Sequence, residues 1–112
     1  MHALFVELPA FSRHRAEYLS DEDFRRLQVE LLKNPQAGDL VQGSGGLRKL
    51  RQADPRRGKG RRGGLRVIYF HWAGGRQIWL FTVYDKDEMD DLSPAQLKIL
   101  RDMLKRELEA RR

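Results

Sequence analysis

The stretch most demanding of a fold is a pair of long apolar segments joined by two glycines. Leu65-Arg66-Val67-Ile68-Tyr69-Phe70-His71-Trp72 and Gln77-Ile78-Trp79-Leu80-Phe81-Thr82-Val83-Tyr84 are rich in β-branched and aromatic residues, and Gly74-Gly75 stands between them. This reads as a β-hairpin. Side chains alternate across a strand, so a half-solvated hairpin would show polar residues at every second position. Here apolar residues fall at both parities. The hairpin must therefore lie centrally and be covered on both sides.

The covering layers are visible on either flank. Ala3 to Leu8 is a short apolar run ending at Pro9 and reads as a strand. Phe11, His14, Arg15 and Tyr18 form a helical stripe from Phe11 on. Ser20-Asp21-Glu22-Asp23 predicts a second helix. Ser20 caps it, the acids suit the positive end of its dipole, and Leu19 can staple to Phe24. Phe24, Leu27 and Leu31 continue at helical spacing until Asn34-Pro35 stops it. Leu47-Arg48-Lys49-Leu50-Arg51 is a short strand between Gly46 and Ala53-Asp54-Pro55. Near the C-terminus, Ser93 caps, Pro94 takes the first helical position and Gln96 completes a capping box, with Leu92 stapling to Leu97. Leu97, Leu100, Leu104 and Leu108 carry that helix onward. Helices before and after an antiparallel sheet define an α+β class, and 112 residues suit one domain spanning 1–112.

Charge narrows the function. Lys and Arg number 22 against 16 Asp and Glu, a formal net charge of +6. From Arg48 to Arg66 there are nine bases and one acid, Asp54, while the rest of the chain has thirteen bases and fifteen acids. The whole positive excess lies in this one stretch. That is the footprint of a polyanion binder, because neutralising phosphates releases counterions. A solvated basic loop is the plainer alternative. Within it, Arg56 to Gly64 holds four glycines, five bases and no apolar residue. It cannot pack, and reads as a mobile loop when no ligand is bound.

Several chemistries find no support. There is no Cys, so disulfides, thiolate nucleophiles and Cys-ligated zinc are excluded, as suits a reducing cytosol. His2, His14 and His71 lack metal-site spacing, and Ser12, Ser20, Ser44 and Ser93 lack a triad-like context. No membrane-length apolar run is present, and Met1 to Leu8 lacks the basic start and long apolar stretch of a secretion signal. The expectation is a small cytoplasmic protein without cofactor or metal.

What remains is a set of cations. Lys49 and Arg51 are two apart on a strand and share a face; Arg48 and Leu50 take the other. Arg66 opens the next strand, and Lys86 follows the last one. If these strands are neighbours, Lys49, Arg51, Arg66 and Lys86 meet at one end of the sheet. Such a cluster can hold a phosphodiester, stabilise charge developing on its oxygens and depress a lysine pKa. RNA is the easier target, since its 2′-hydroxyl is a built-in nucleophile. Spacing alone also fits ordinary solvated or salt-bridged strand-edge cations. Tyr69, Trp72 and Trp79 read as core. Tyr84, at a strand end beside Lys86, is a candidate for stacking on bases.

Four segments, in order, resemble the RelE/HigB toxins of bacterial type II toxin–antitoxin systems, most closely the HigB-like branch. They are Gly45-Gly46-Leu47-Arg48-Lys49-Leu50-Arg51; Gly58-Lys59-Gly60 with Gly63-Gly64-Leu65-Arg66-Val67-Ile68-Tyr69-Phe70; Val83-Tyr84-Asp85-Lys86-Asp87-Glu88; and Asp91-Leu92-Ser93. The resemblance runs from about Phe5 to Leu104. It implies a RelE-like fold: an N-terminal strand and two helices, an antiparallel sheet, and a C-terminal helix. It further implies a metal-independent, ribosome-dependent endoribonuclease that cuts mRNA in the A site and so inhibits translation. Lys49, Arg51, Arg66 and Lys86 match the family's basic catalytic positions. Arg66 would clamp phosphate, and Lys49 or Lys86 would move protons. Arg48, Arg56, Arg57, Lys59, Arg61, Arg62 and Tyr84 are the expected RNA-binding residues. The implied partners are a cognate helix-turn-helix (HigA-like) antitoxin, the 70S ribosome and mRNA, with DNA reached only through the antitoxin. The tyrosine that some members carry in the last helical segment is missing between Glu88 and Leu92. His71 and Glu88 are then the nearby counterparts for a general base, whose identity the resemblance leaves open. A non-catalytic basic RNA- or ribosome-binding module is the alternative.

Overall fold

The computed structural model describes residues 3–54, 58, 60, 64–86 and 91–111. In chain order the elements are β1 (Leu4–Glu7), α1 (Pro9–Tyr18), α2 (Asp21–Lys33), β2 (Asp39–Leu40), β3 (Arg48–Gln52), β4 (Leu65–Trp72), β5 (Gln77–Asp85) and α3 (Pro94–Ala110). The five strands form one sheet in the order β1-β5-β4-β3-β2, with the β4–β5 hairpin at its centre. The expected α+β class is what forms.

The central hairpin is buried on both sides. One face packs under α1 and α2 through Phe11, Leu27, Leu31, Leu50, Val67, Tyr69, Ile78 and Leu80. The other lies under α3 through Leu47, Ile68, Trp79, Phe81, Leu100 and Leu104. Each such side chain contributes roughly 1.5–3 kcal/mol by leaving water, so neither helical layer is dispensable. The register shifts between Ile68 and Tyr69, which leaves Phe81 of β5 without a direct partner on β4.

Local signals fix the helices. Ser20 Oγ accepts the Asp23 N–H at 3.0 Å at the head of α2. The α3 capping box is complete: Ser93 Oγ accepts the Gln96 N–H at 3.1 Å, and Gln96 Oε1 accepts the Ser93 N–H at 2.8 Å. Each cap supplies about 1 kcal/mol. Helix α1 starts at Pro9, two residues before Phe11, because a proline at the first turn has no N–H to leave unpaired.

Three features correct the sequence reading. The sheet is not wholly antiparallel: β1 runs parallel to β5, with Leu4 opposite Gln77 and Glu7 opposite Leu80. A short edge strand, β2, pairs antiparallel with β3. The hairpin turn is a 3-10 segment over Ala73–Gly75, and its left-handed residue is Arg76 (φ 53°) rather than a glycine. Gly75 is needed for space, since a Cβ there would lie 2.3 Å from the Trp72 ring.

Candidate functional site

Strand register assembles the site. Arg51 of β3 stands opposite Arg66 of β4, which stands opposite Tyr84 of β5. Directly opposed residues share a face, so these three form a row across the sheet on the α3 side. Lys49, opposite Ile68, lies on the same face two residues along. The row sits where β3 ends, β4 begins and β5 ends. Gly64 makes that crossing possible, because a Cβ there would meet the Gln52 carbonyl oxygen at 2.2 Å. Lys86 follows β5 with its N–H on the Gly64 carbonyl at 3.2 Å, two residues past Tyr84, and is half-buried.

The electrostatics are unusual for a sheet. Two like charges directly opposite one another are destabilising. Arg66 is also only 4% exposed. Its guanidinium donates to the Leu65 carbonyl at 3.2 Å. Burial, and then the charge of Arg51, lower its pKa; Tyr84 and Asp91 act in the opposite direction. Tyr84 is 5% exposed, and its hydroxyl is buried with no hydrogen-bond partner among the described residues. Burial, reinforced by Asp91 and opposed by Arg66, pushes that phenol up to about 12. At neutral pH it is a proton donor only.

Asp91, just before α3, completes the arrangement. Its Oδ1 lies 3.4 Å from Lys49 Nζ and accepts the Leu92 N–H at 2.8 Å. The sequence reading gave Asp91 no role. Lys49 and Asp91 are 42 residues apart, and no local spacing links them.

Of the expected catalytic residues, Lys49, Arg51 and Arg66 come together on one face, and Lys86 lies at the same end of the sheet. Two RNA-binding expectations change. Arg48 is on the opposite face, opposite Tyr69, where its guanidinium donates to the Gly38 carbonyl at 2.8 Å and the Gln36 carbonyl at 3.4 Å. It ties the α2–β2 connection to the sheet. Tyr84 offers no ring face for stacking, because the ring belongs to the core with Ile68 and Trp79 and its hydroxyl is buried as well. Arg56, Arg57, Lys59, Arg61 and Arg62, the bases of the expected mobile loop, lie outside the described residues, as does Glu88. His71 pairs with Ile78, well along β4 from Arg66, and its pKa is lowered by burial and then by Arg48. It belongs to the Arg48 side. Tyr69 is core as expected, donating to the Pro35 carbonyl at 2.8 Å and accepting the Gly38 N–H at 3.0 Å. Among the described residues, no group of three His, Asp or Glu gathers as a metal ion would require.

No family model matches the sequence. Solved structures do match in fold. A mutant E. coli toxin RelE in the free state superposes with a TM-score of 0.57 at 14% identity, over 80% of this chain and 90% of that one. The isolated E. coli RelE toxin gives 0.56 at 14% identity, over 91% and 99%. A chain of the intact E. coli RelBE toxin–antitoxin complex gives 0.55 at 15% identity, over 75% and 96%. At these identities the likeness is one of architecture: the chain has a RelE-like fold.

Proposed function

We propose that this protein is the toxin of a type II toxin–antitoxin system and cuts mRNA in the ribosomal A site. The observation that carries the reading is the opposed Arg51–Arg66 pair, flanked by Lys49 and a buried tyrosine hydroxyl on a RelE-like sheet. Two guanidinium groups side by side make a seat for an anion. A phosphodiester is such an anion. Arg66 clamps a non-bridging oxygen and stabilises the charge that builds there as the 2′-hydroxyl attacks phosphorus. The phosphorus–O5′ bond breaks, giving a 2′,3′-cyclic phosphate and a 5′-hydroxyl. Lys86 or Lys49 delivers the proton to the leaving O5′. The five bases from Arg56 to Arg62 add positive charge with which to bind message and ribosomal RNA. A cognate antitoxin, with acidic groups to cover this face or a helix-turn-helix domain of the HigA-like kind, holds the protein inactive. Reaction on the ribosome places the activity in the cytoplasm.

The test is to induce the protein alone and together with the product of the adjacent reading frame, then map message ends in arrested cells. Growth arrest relieved by the neighbour, with breaks inside codons of translated messages only, is the expected result. Arrest without breaks would replace cleavage by the other reading, a basic module that binds RNA or ribosome without cutting.

A further inference from the structure

We infer that Asp91 is the general base of the site, taking the proton from the attacking 2′-hydroxyl. The inference rests on the cleavage reading above and assigns a role which that reading leaves open. Activating a hydroxyl needs a proton acceptor. Arginines stay protonated and cannot serve. Lys49 Nζ is engaged by the Asp91 carboxylate at 3.4 Å, and the Tyr84 phenol retains its proton at neutral pH. A carboxylate can accept a proton, and among the described residues three bear on the question at this end of the sheet. Asp54 and Asp85 are each 1% exposed and engaged within the fold. The Asp91 side chain is 67% exposed.

Its placement suits the task. Lys49 Nζ and the Leu92 N–H both meet Oδ1, which leaves Oδ2 with its lone pairs available. The complete capping box at Ser93 fixes the start of α3 two residues after it. Its field reaches Arg66 and Tyr84, so it stands beside the groups that would hold the phosphate.

The step balances. The 2′-oxygen forms its bond to phosphorus as its proton passes to Asp91 Oδ2. The phosphorus–O5′ bond breaks, and O5′ takes a proton from a lysine ammonium. Water then returns the proton from Asp91 to the lysine. His71 is excluded by its place on the Arg48 side of the sheet.

The experiment compares the full-length wild type with Asp91→Asn on programmed ribosomes. Asparagine keeps the shape and the acceptor for Leu92, so the fold is retained. Single-turnover cleavage should fall by about 100-fold or more, the usual worth of a general base. The wild-type rate should decline on acidification as a carboxylate protonates, and that limb should vanish in the variant. Binding to a codon bearing a 2′-deoxy nucleotide, which cannot be cut, should be equal or tighter. Asp91→Glu should recover part of the rate. Wild-type or faster cleavage by Asp91→Asn would overturn the assignment and make Asp91 a mere counter-ion. Loss of the acid limb in Glu88→Gln instead would overturn it too. If the wild type itself fails to cut, the functional reading falls first and takes this one with it. If the wild type cuts and Asp91→Asn cuts equally well, only the base assignment falls.

Discussion

Arg51 and Arg66 are direct cross-strand partners on one face of the sheet, two guanidinium groups where a stability-driven sheet would place opposite charges. The charge of Arg51 lowers the pKa of Arg66, so each cation feels the other. Replacing Arg51 by Gln should therefore stabilise the protein by up to about 1 kcal/mol, since like charges opposite one another cost that order of energy. The same change should weaken binding to ribosome-bound message and lower cleavage. Urea unfolding and a cleavage assay on the same preparation check both halves. A variant that loses stability and activity together would contradict the idea.

Arg66 is buried, so truncating it to Ala risks the fold as well as the site. Arg66→Met keeps the aliphatic bulk and should remain folded by circular dichroism. Cleavage should drop by about 100-fold or more, in line with removal of one donor to a developing oxyanion. Arg66→Lys should recover little, because an ammonium cannot reproduce a planar fork of donors.

Arg48 lies in the same basic run but faces the other way. Arg48→Ala should cost about 1–3 kcal/mol through loss of its charge-assisted bonds to the Gly38 and Gln36 carbonyls. Cleavage per folded molecule should not change. Thermal unfolding beside a cleavage assay separates this outcome from a nucleic-acid contact, which would lower activity and leave stability intact.

Tyr84 ties stability to alkaline pH. The phenol is raised to about 12 in the folded protein against about 10 in an unfolded chain, so the native state holds the proton more tightly. Its contribution is present in full below about pH 10 and is lost as pH rises from there toward 12. A shift of that size corresponds to about 2–3 kcal/mol. Tyr84→Phe should flatten that part of the stability-against-pH curve, read by urea titration at successive pH values.

The turn of the central hairpin gives a purely structural prediction. Gly75→Ala would drive a Cβ into the Trp72 ring, and overpacking of that kind costs about 1–3 kcal/mol. The melting temperature should fall by several degrees with the fold retained. Pairing the change with Trp72→Leu should recover much of the loss.

The sequence displayed those parts of the fold that depend on near neighbours. The hairpin, the Ser20 and Ser93 caps and the α3 stripe all follow from residues within a few positions of one another. The parallel seating of β1 on β5 was not legible, because a strand's own pattern does not name its distant partner. Neither was β2, whose two residues carry no alternation. At the site, alternation already separated Arg48 from Lys49, but grouping residues by charge hid the difference. Tyr84 looked exposed because it ends a strand, yet α3 covers it. Asp91 could not be found by spacing, since only the folding of α3 against the sheet brings it to Lys49.

The pairing of Leu4 with Gln77 also sets an order of assembly. The strand that opens the chain has no neighbour until the hairpin behind it has been made, and the helix that shields the cationic row is the last element of all. The face that carries Lys49, Arg51 and Arg66 is thus complete only after β5 and α3 have both been made. Any ligand of this row of cations therefore meets it only once the sheet has closed and Asp91 has reached Lys49.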